Sequence, residues 1–247
     1  MKFSFFFLFL LLLNYFPLSP LTNGQESESP FSIEAGVDVV SRYIWRGVDW
    51  GGPSPSIQPS FYITCDTKKF GLLEIGAWGA YMVNGEYTEQ DLSLKYILPV
   101  ENCGVYSLAL TDYMFPYLNT PVNNFEGKGE GAHTLDITFE YAGPEKLPVS
   151  LLVSQLIFND YPGYKSFYVE LGYNFAVSNL DNKIFAGAAQ GISDWNRITT
   201  DKFEFTNIGY EVTKEIPLSE SYSASAGVAF ILNWHQKTSY LVFKLTL

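Results

Sequence analysis

Histidine and cysteine are nearly absent from the chain, two of each in 247 residues, and only 17% of its residues are charged. Cys65 and Cys103 are too few to staple a disulfide scaffold, and no metal-ligand spacing surrounds them. His133 and His235 are the only imidazoles a serine hydrolase could use as a base, and neither has a G-x-S-x-G or H-x-S pattern near it. The acids of "EYTEQD" at 86–91 lack the D-x-[DN]-x-[DN]-G order of a calcium loop. No metal, cofactor or catalytic residue is expected. Positive charge is scarce as well, 15 lysines and arginines against 26 acids, which argues against nucleic acid as a partner. Beyond the N-terminal stretch no apolar run approaches the roughly 18 residues that a membrane-spanning helix needs.

What the chain does have is aromatic residues, 17% of the total. It opens with Lys2, an apolar run over 3–13 and a turn-rich exit, the layout of a secretory signal peptide. Thr22 and Gly24 fit the minus-three and minus-one positions, which predicts cleavage of residues 1–24 and a mature start at Gln25. The mature chain then carries 14 basic and 26 acidic residues, a net charge of −12. A short periplasmic leader, 25–31, precedes a single domain over 32–247.

The dominant period in that domain is two. Over 32–46 the odd positions read Ile33, Ala35, Val37, Val39, Ser41, Tyr43 and Trp45, and all four charges, Glu34, Asp38, Arg42 and Arg46, are even. "AHTLDITFEY" and "SFYVELGYNF" repeat the alternation. Counting such segments predicts about twelve strands, near 32–46, 56–65, 70–82, 88–98, 104–114, 132–141, 149–158, 165–176, 183–190, 204–215, 221–233 and 238–247. Connections alternate between short turns, such as "DTKK" and "PVEN", and longer loops, notably 115–131 and 191–202. Segments of about ten residues with that asymmetry predict an all-β fold, a transmembrane antiparallel up-and-down barrel.

Alternation alone also fits a soluble barrel, so the two faces decide. Tyr43, Trp45, Tyr81, Tyr96, Tyr113, Tyr141 and Tyr173 are assigned to the apolar face near strand ends, as membrane-interface aromatics. Glu34, Asp38, Arg42, Arg46, Glu74, Glu89, Asp91, Asp136 and Glu170 are assigned to the lumen as pore-lining or constriction residues. Glu89 and Asp91 are the expected partners of the two arginines. Inward acids outnumber inward bases, which predicts attraction of cations. Cys65 and Cys103, at the feet of strands three steps apart, exceed the roughly 7 Å Cα limit of a disulfide unless the turns fold inward. The last strand, "SYLVFKLTL", carries Leu241, Phe243, Leu245 and Leu247 on one face, the form by which such barrels are handed to the barrel assembly machinery.

With the strands placed, "SRYIWRGVDWGGPSPSIQPSFYI" resembles the start of the TorF-type porin family of bacterial outer membranes, whose pattern is S-x-Y-x-x-R-G, a short loop, then P-[AS]-x-Q and an aromatic strand. Ser41, Tyr43, Arg46, Gly47, Pro55, Ser56, Gln58 and Tyr62 carry the likeness; Phe61 stands where the family often has an acid. The resemblance implies a small outer-membrane barrel that passes solutes. The expected function is passive diffusion of small hydrophilic solutes with a mild cation preference, in contact with outer-membrane lipids and lipopolysaccharide. A non-conducting structural or adhesive barrel is the alternative, and a lipid-modifying outer-membrane enzyme a more distant one.

Overall fold

The alternation closes on itself. A computed structural model describes residues 29–161, 166–219 and 222–247. The expected signal peptide, its cleavage residues Thr22 and Gly24, and most of the leader lie outside the described residues. Among the described residues, twelve antiparallel strands form a closed barrel: β1 (Phe31–Val40), β4 (Ser56–Asp66), β5 (Leu72–Met82), β6 (Thr88–Val100), β7 (Gly104–Met114), β8 (His133–Ala142), β9 (Val149–Phe158), β10 (Phe167–Val177), β11 (Leu180–Gln190), β12 (Glu204–Pro217), β13 (Ser223–Asn233) and β14 (Thr238–Thr246). The two-residue strands β2 (Ile44–Trp45) and β3 (Val48–Asp49) pair only with each other, outside the barrel sheet. Each barrel strand neighbours the next in sequence, and β1 meets β14 to close the ring. The seam aligns Asp38 with Thr246 and Val40 with Lys244. Beyond it, Ser41 continues the ladder, its N–H donating to Phe243 O at 2.8 Å while its hydroxyl accepts from Phe243 N–H at 2.9 Å.

Period two makes a continuous outer belt because strand registers align the apolar parity from strand to strand. Ile33, Ile63, Ile75, Leu94, Leu110 and Ile137 stand side by side on six neighbouring strands, all exposed. On the opposite wall Tyr173, Ile184, Tyr210, Phe230 and Leu241 form a second exposed row. A protein surrounded by water rarely keeps contiguous apolar patches above a few hundred Å². This belt is suited to lipid, where closing the sheet leaves no unpaired edge.

The observed strands follow the expected ones, and two bounds shift by more than two residues. β11 begins at Leu180 rather than 183, and β1 ends at Val40 rather than 46. The second shift decides the interior. Cys65 and Cys103 are free thiols.

Candidate functional site

After Val40 the chain leaves the wall. Ile44 pairs with Asp49 and Trp45 with Val48, leaving Arg46 and Gly47 as a two-residue turn in which both φ angles are positive, 51° and 79°. Positive φ at both central positions is what a type I′ hairpin requires. Glycine takes that conformation freely; arginine does so at a cost of about 1–2 kcal/mol. Gly47 meets a second demand, because a Cβ there would lie 1.7 Å from the backbone oxygen of Thr206 on β12. Asn233 of β13, fully buried, donates from Nδ2 to Gly47 O at 3.0 Å. The tip thus touches the wall at β12 and β13 by backbone alone.

Arg46 carries the hairpin to the opposite side. Its Nη2 donates to Asp136 Oδ2 at 3.0 Å and to Ser154 Oγ at 2.6 Å, on β8 and β9. In the ring order five strands separate β9 from β1 in either direction, so the hairpin crosses the lumen. Asp136 has no exposed surface, and its carboxylate also accepts from the hydroxyls of Ser154, at 2.6 and 2.8 Å, and Thr138, at 2.6 Å. The β8–β9 register shifts at Leu135/Asp136, an irregularity of the kind that re-aims a side chain. The guanidinium lies 4.1 Å from the Trp45 ring and 5.0 Å from that of Tyr168. A buried carboxylate is tolerable only with its charge compensated and its lone pairs filled, and this arrangement does both.

Aromatic packing fixes the rest of the hairpin. Tyr43 packs on Trp78 and Tyr87 with centroids 5.6 and 6.1 Å apart. Trp45 meets Trp50, Tyr113 and Trp195, and Trp195 also touches Phe115 at 5.3 Å. Trp195 lies in the loop between β11 and β12, so a second connection dips inward to cap the first. On the other flank Ile44 packs against the lumenal cluster Val40, Ile231 and Val242. Tyr87 donates its hydroxyl to Glu89 at 2.6 Å, and Tyr43 packs against the Tyr87 ring. Burial, with the Glu89 charge added, pushes both phenols well up, so they stay protonated donors.

Three interface assignments are therefore corrected. Tyr43 and Tyr113 are each only 7% exposed, and Trp45 lies in the same lumenal cluster. For Tyr43 and Trp45 the pleat ceases to predict direction once the backbone leaves the sheet at Val40. Tyr113 shares its parity with Ser107, Ala109 and Thr111, which face the cavity. Tyr81, Tyr96, Tyr141 and Tyr173 lie on the outward parity, and the hydroxyls of Tyr96 and Tyr141 donate to the backbone oxygens of Phe70 and Cys103.

The residues assigned to the lumen are all inside, but not paired as expected. Arg42 binds Asp49 of its own hairpin at 3.0 Å, and Arg46 binds Asp136; neither bonds Glu89 or Asp91. Lys95 holds Glu140 at 2.5 Å, Lys183 holds Glu170 at 3.1 Å and Lys244 holds Asp38 at 2.8 Å. With each lumenal base engaged, Glu34, Glu74, Glu89, Asp91 and Glu211 have no basic partner among the described residues. Glu89 is 3% exposed, and Asp91 Oδ1 is buried without a hydrogen-bond partner. Neither histidine bonds a serine hydroxyl among the described residues. His133 is held by Asp112 and the Val122 carbonyl, both at 2.7 Å, and His235 lies 3.6 Å from Glu204.

Space remains beneath the hairpin. A cavity of about 480 Å³, lined by Glu34, Glu74, Lys95, Glu140 and Glu170 among others, reaches up to Trp45 and Arg46. It adjoins one of about 400 Å³ through Lys95, Glu140 and Glu170, and that adjoins a third of about 610 Å³ at the short-turn mouth through Lys183. A smaller space of about 210 Å³ runs beside the hairpin, past Gln58, Arg42, Lys244 and Glu211. Inward aromatics lie flat along the wall against glycines. A Cβ on Gly76 would fall 2.7 Å from the Tyr62 ring, and one on Gly187 would fall 2.1 Å from the Tyr168 hydroxyl.

Comparison with known proteins adds a family and a fold. A family model described as a bacterial protein of unknown function (Gcw_chp) matches residues 24–236. No curated protein matches the chain. Among solved structures, an outer membrane channel from Pseudomonas putida F1 is similar with a TM-score of 0.51 and 11% identity, over 91% of this chain and 98% of that one. A chain from a structure titled for the in-meso crystallization of membrane proteins is similar with a TM-score of 0.55 and 11% identity, over 88% and 82% of the two chains. At such identity the likeness is one of fold.

Proposed function

The chain belongs to the Gcw_chp family of bacterial proteins of unknown function, and on the geometry of its lumen we propose that it is an outer-membrane, porin-like channel. It passes small hydrophilic solutes by passive diffusion, prefers cations mildly and performs no covalent chemistry. The hairpin is its constriction. The observation that carries this reading is the acid-rich vestibule that runs from the short-turn mouth to the underside of Arg46, with Glu34, Glu74 and Glu211 unmatched by bases. Fixed charge of one sign in a low-dielectric conduit concentrates counterions. The apolar belt supports residence in lipid, with lipopolysaccharide at the loop side, and β14 supplies the strand presented to the barrel assembly machinery. The likeness of 41–62 to TorF-type porins supports the same reading.

The test is single-channel recording on the refolded protein in asymmetric KCl. Discrete conductance with a cation-sided reversal potential is expected. Arg42 lines the narrow space beside the hairpin and is 32% exposed, so Arg42→Gln frees the charge of Asp49 and raises cation preference. An unchanged reversal potential refutes that role. The aromatic packing favours a second reading, a barrel that is closed and structural. Silence from a folded, heat-modifiable barrel would select it.

A further inference from the structure

We propose that the recess formed by Asp136, Ser154, Thr138 and Tyr168 on the far wall is a binding site for guanidinium-bearing cations, which Arg46 occupies at rest as a tethered stand-in. The identification of the solute class rests on the channel reading above; the site itself rests on geometry. The recess is assembled from wall residues alone. Thr138 donates to Asp136 Oδ1 at 2.6 Å and the single proton of Ser154 is shared between the two carboxylate oxygens at 2.6 and 2.8 Å, contacts that orient the carboxylate without the hairpin. Tyr168, 1% exposed, is itself fixed by donating to Glu170 at 2.6 Å and accepting from Asn207 Nδ2 at 3.0 Å, so its ring presents a rigid face. An anion beside an aromatic face is what a flat, delocalised cation selects.

Arg46 fills that recess incompletely. Among the described residues its guanidinium uses only Nη2 in hydrogen bonds, and its backbone is held at a φ of 51°. Arg46, Thr138 and Tyr168 line the cavity of about 480 Å³, where Glu34 and Glu74, which hold no base among the described residues, are further acceptors for the remainder of a ligand. A cation from the short-turn mouth therefore reaches the recess through an acidic vestibule. It must compete with a tethered group, whose effective concentration for a short linkage is of order mM.

The variant that vacates the recess without disturbing the turn is Arg46→Asn. Asparagine tolerates positive φ, and Asn-Gly is the favoured type I′ pair. Trp45, 4.1 Å from the guanidinium, supplies a reporter independent of conductance. Tryptophan fluorescence of the full chain in detergent is titrated with guanidinium chloride below denaturing concentrations, against tetramethylammonium chloride at equal ionic strength. In Arg46→Asn a saturable change is expected at about tenfold lower guanidinium than in the wild type, absent with tetramethylammonium and lost in Arg46→Asn/Asp136→Asn. Equal responses to the two cations, or an undiminished response in the double variant, overturn the proposal. Should the variant not fold by heat modifiability, the wild type decides, since selective displacement by guanidinium at tens of mM is expected and its absence refutes the site. Selective fluorescence from a protein silent in bilayers leaves the site standing and removes the channel; conductance without selectivity for guanidinium does the reverse.

Discussion

Gly47→Ala separates the hairpin from the barrel that holds it. A Cβ at this position would stand 1.7 Å from Thr206 O and 2.6 Å from its carbonyl carbon, both backbone atoms that no rotamer change can move. Restoring an ordinary contact of about 3.5 Å requires the tip to withdraw by roughly 2 Å. That withdrawal breaks the Asn233 bond to Gly47 O, now 3.0 Å, and carries Arg46 beyond hydrogen-bond reach of Ser154 and Asp136. The dominant loss is a buried Asp136 without its cation, about 3–5 kcal/mol, with the left-handed alanine adding about 1–2 kcal/mol. Gly47 belongs to none of the twelve barrel strands, so the wall ladder is untouched. Heat-modifiable migration should persist while single-channel conductance rises severalfold. Gly52→Ala is the matched control, since it also has positive φ, 64°, but nothing within 4 Å of its Cβ. It should incur the conformational cost alone and leave conductance near the wild-type level. A folded Gly47→Ala barrel with wild-type conductance would refute the hairpin as constriction.

Two further outcomes follow from the same contacts. A double-mutant cycle of Arg46→Asn and Asp136→Asn, read by denaturant unfolding in detergent, should give a coupling of about 1–3 kcal/mol, and additivity of the single effects would deny the Arg46–Asp136 pair any energetic role. Gly187→Val places a side chain where the Tyr168 hydroxyl now lies and should lift that ring off the wall. Overpacking of this kind costs about 1–3 kcal/mol, and the ring should narrow the vestibule, so conductance should fall while the barrel still forms.

The wall was legible in the sequence because each strand obeys one local rule. In β8, Leu135, Ile137, Phe139 and Tyr141 face out and Thr134, Asp136, Thr138 and Glu140 face in, as their parity dictates. The same rule placed every lumenal acid inside. It misled at Trp45, where Tyr43 and Trp45 keep the odd parity and Arg42 and Arg46 the even one while the chain turns away from the sheet. The available signal was "WRGV", a positive-φ pair between two residues suited to strands, which the length of the alternating run concealed. Tyr113 needed only its own parity, shared with Ala109 and Thr111. The partner of Arg46 had no local signature. Asp136 is 90 positions away, and the pair forms because one hairpin spans the barrel, a fact of topology that no spacing encodes.

The lumen is divided along its axis, and the division assigns separate roles to its charges. Toward the loops, Tyr43, Trp45, Trp50, Tyr87, Tyr113 and Trp195 exclude water, and Arg46 and Asp136 neutralise each other inside that packing. Toward the turns, cavities of about 400–610 Å³ leave Glu34, Glu74 and Glu211 beside solvent, where a Debye length of about 8 Å at physiological salt screens them. In the proposed channel, acids in the wide half would therefore bias the sign of the ions that collect there only mildly. Steeper selectivity in that channel would come from the narrow half, where one charge would meet each ion at close range. The space of about 210 Å³ beside Arg42 is the part of that half in which a charged pair is partly exposed. Selectivity should accordingly respond more to Arg42 than to any single vestibule acid, and conductance more to Gly47 than to either.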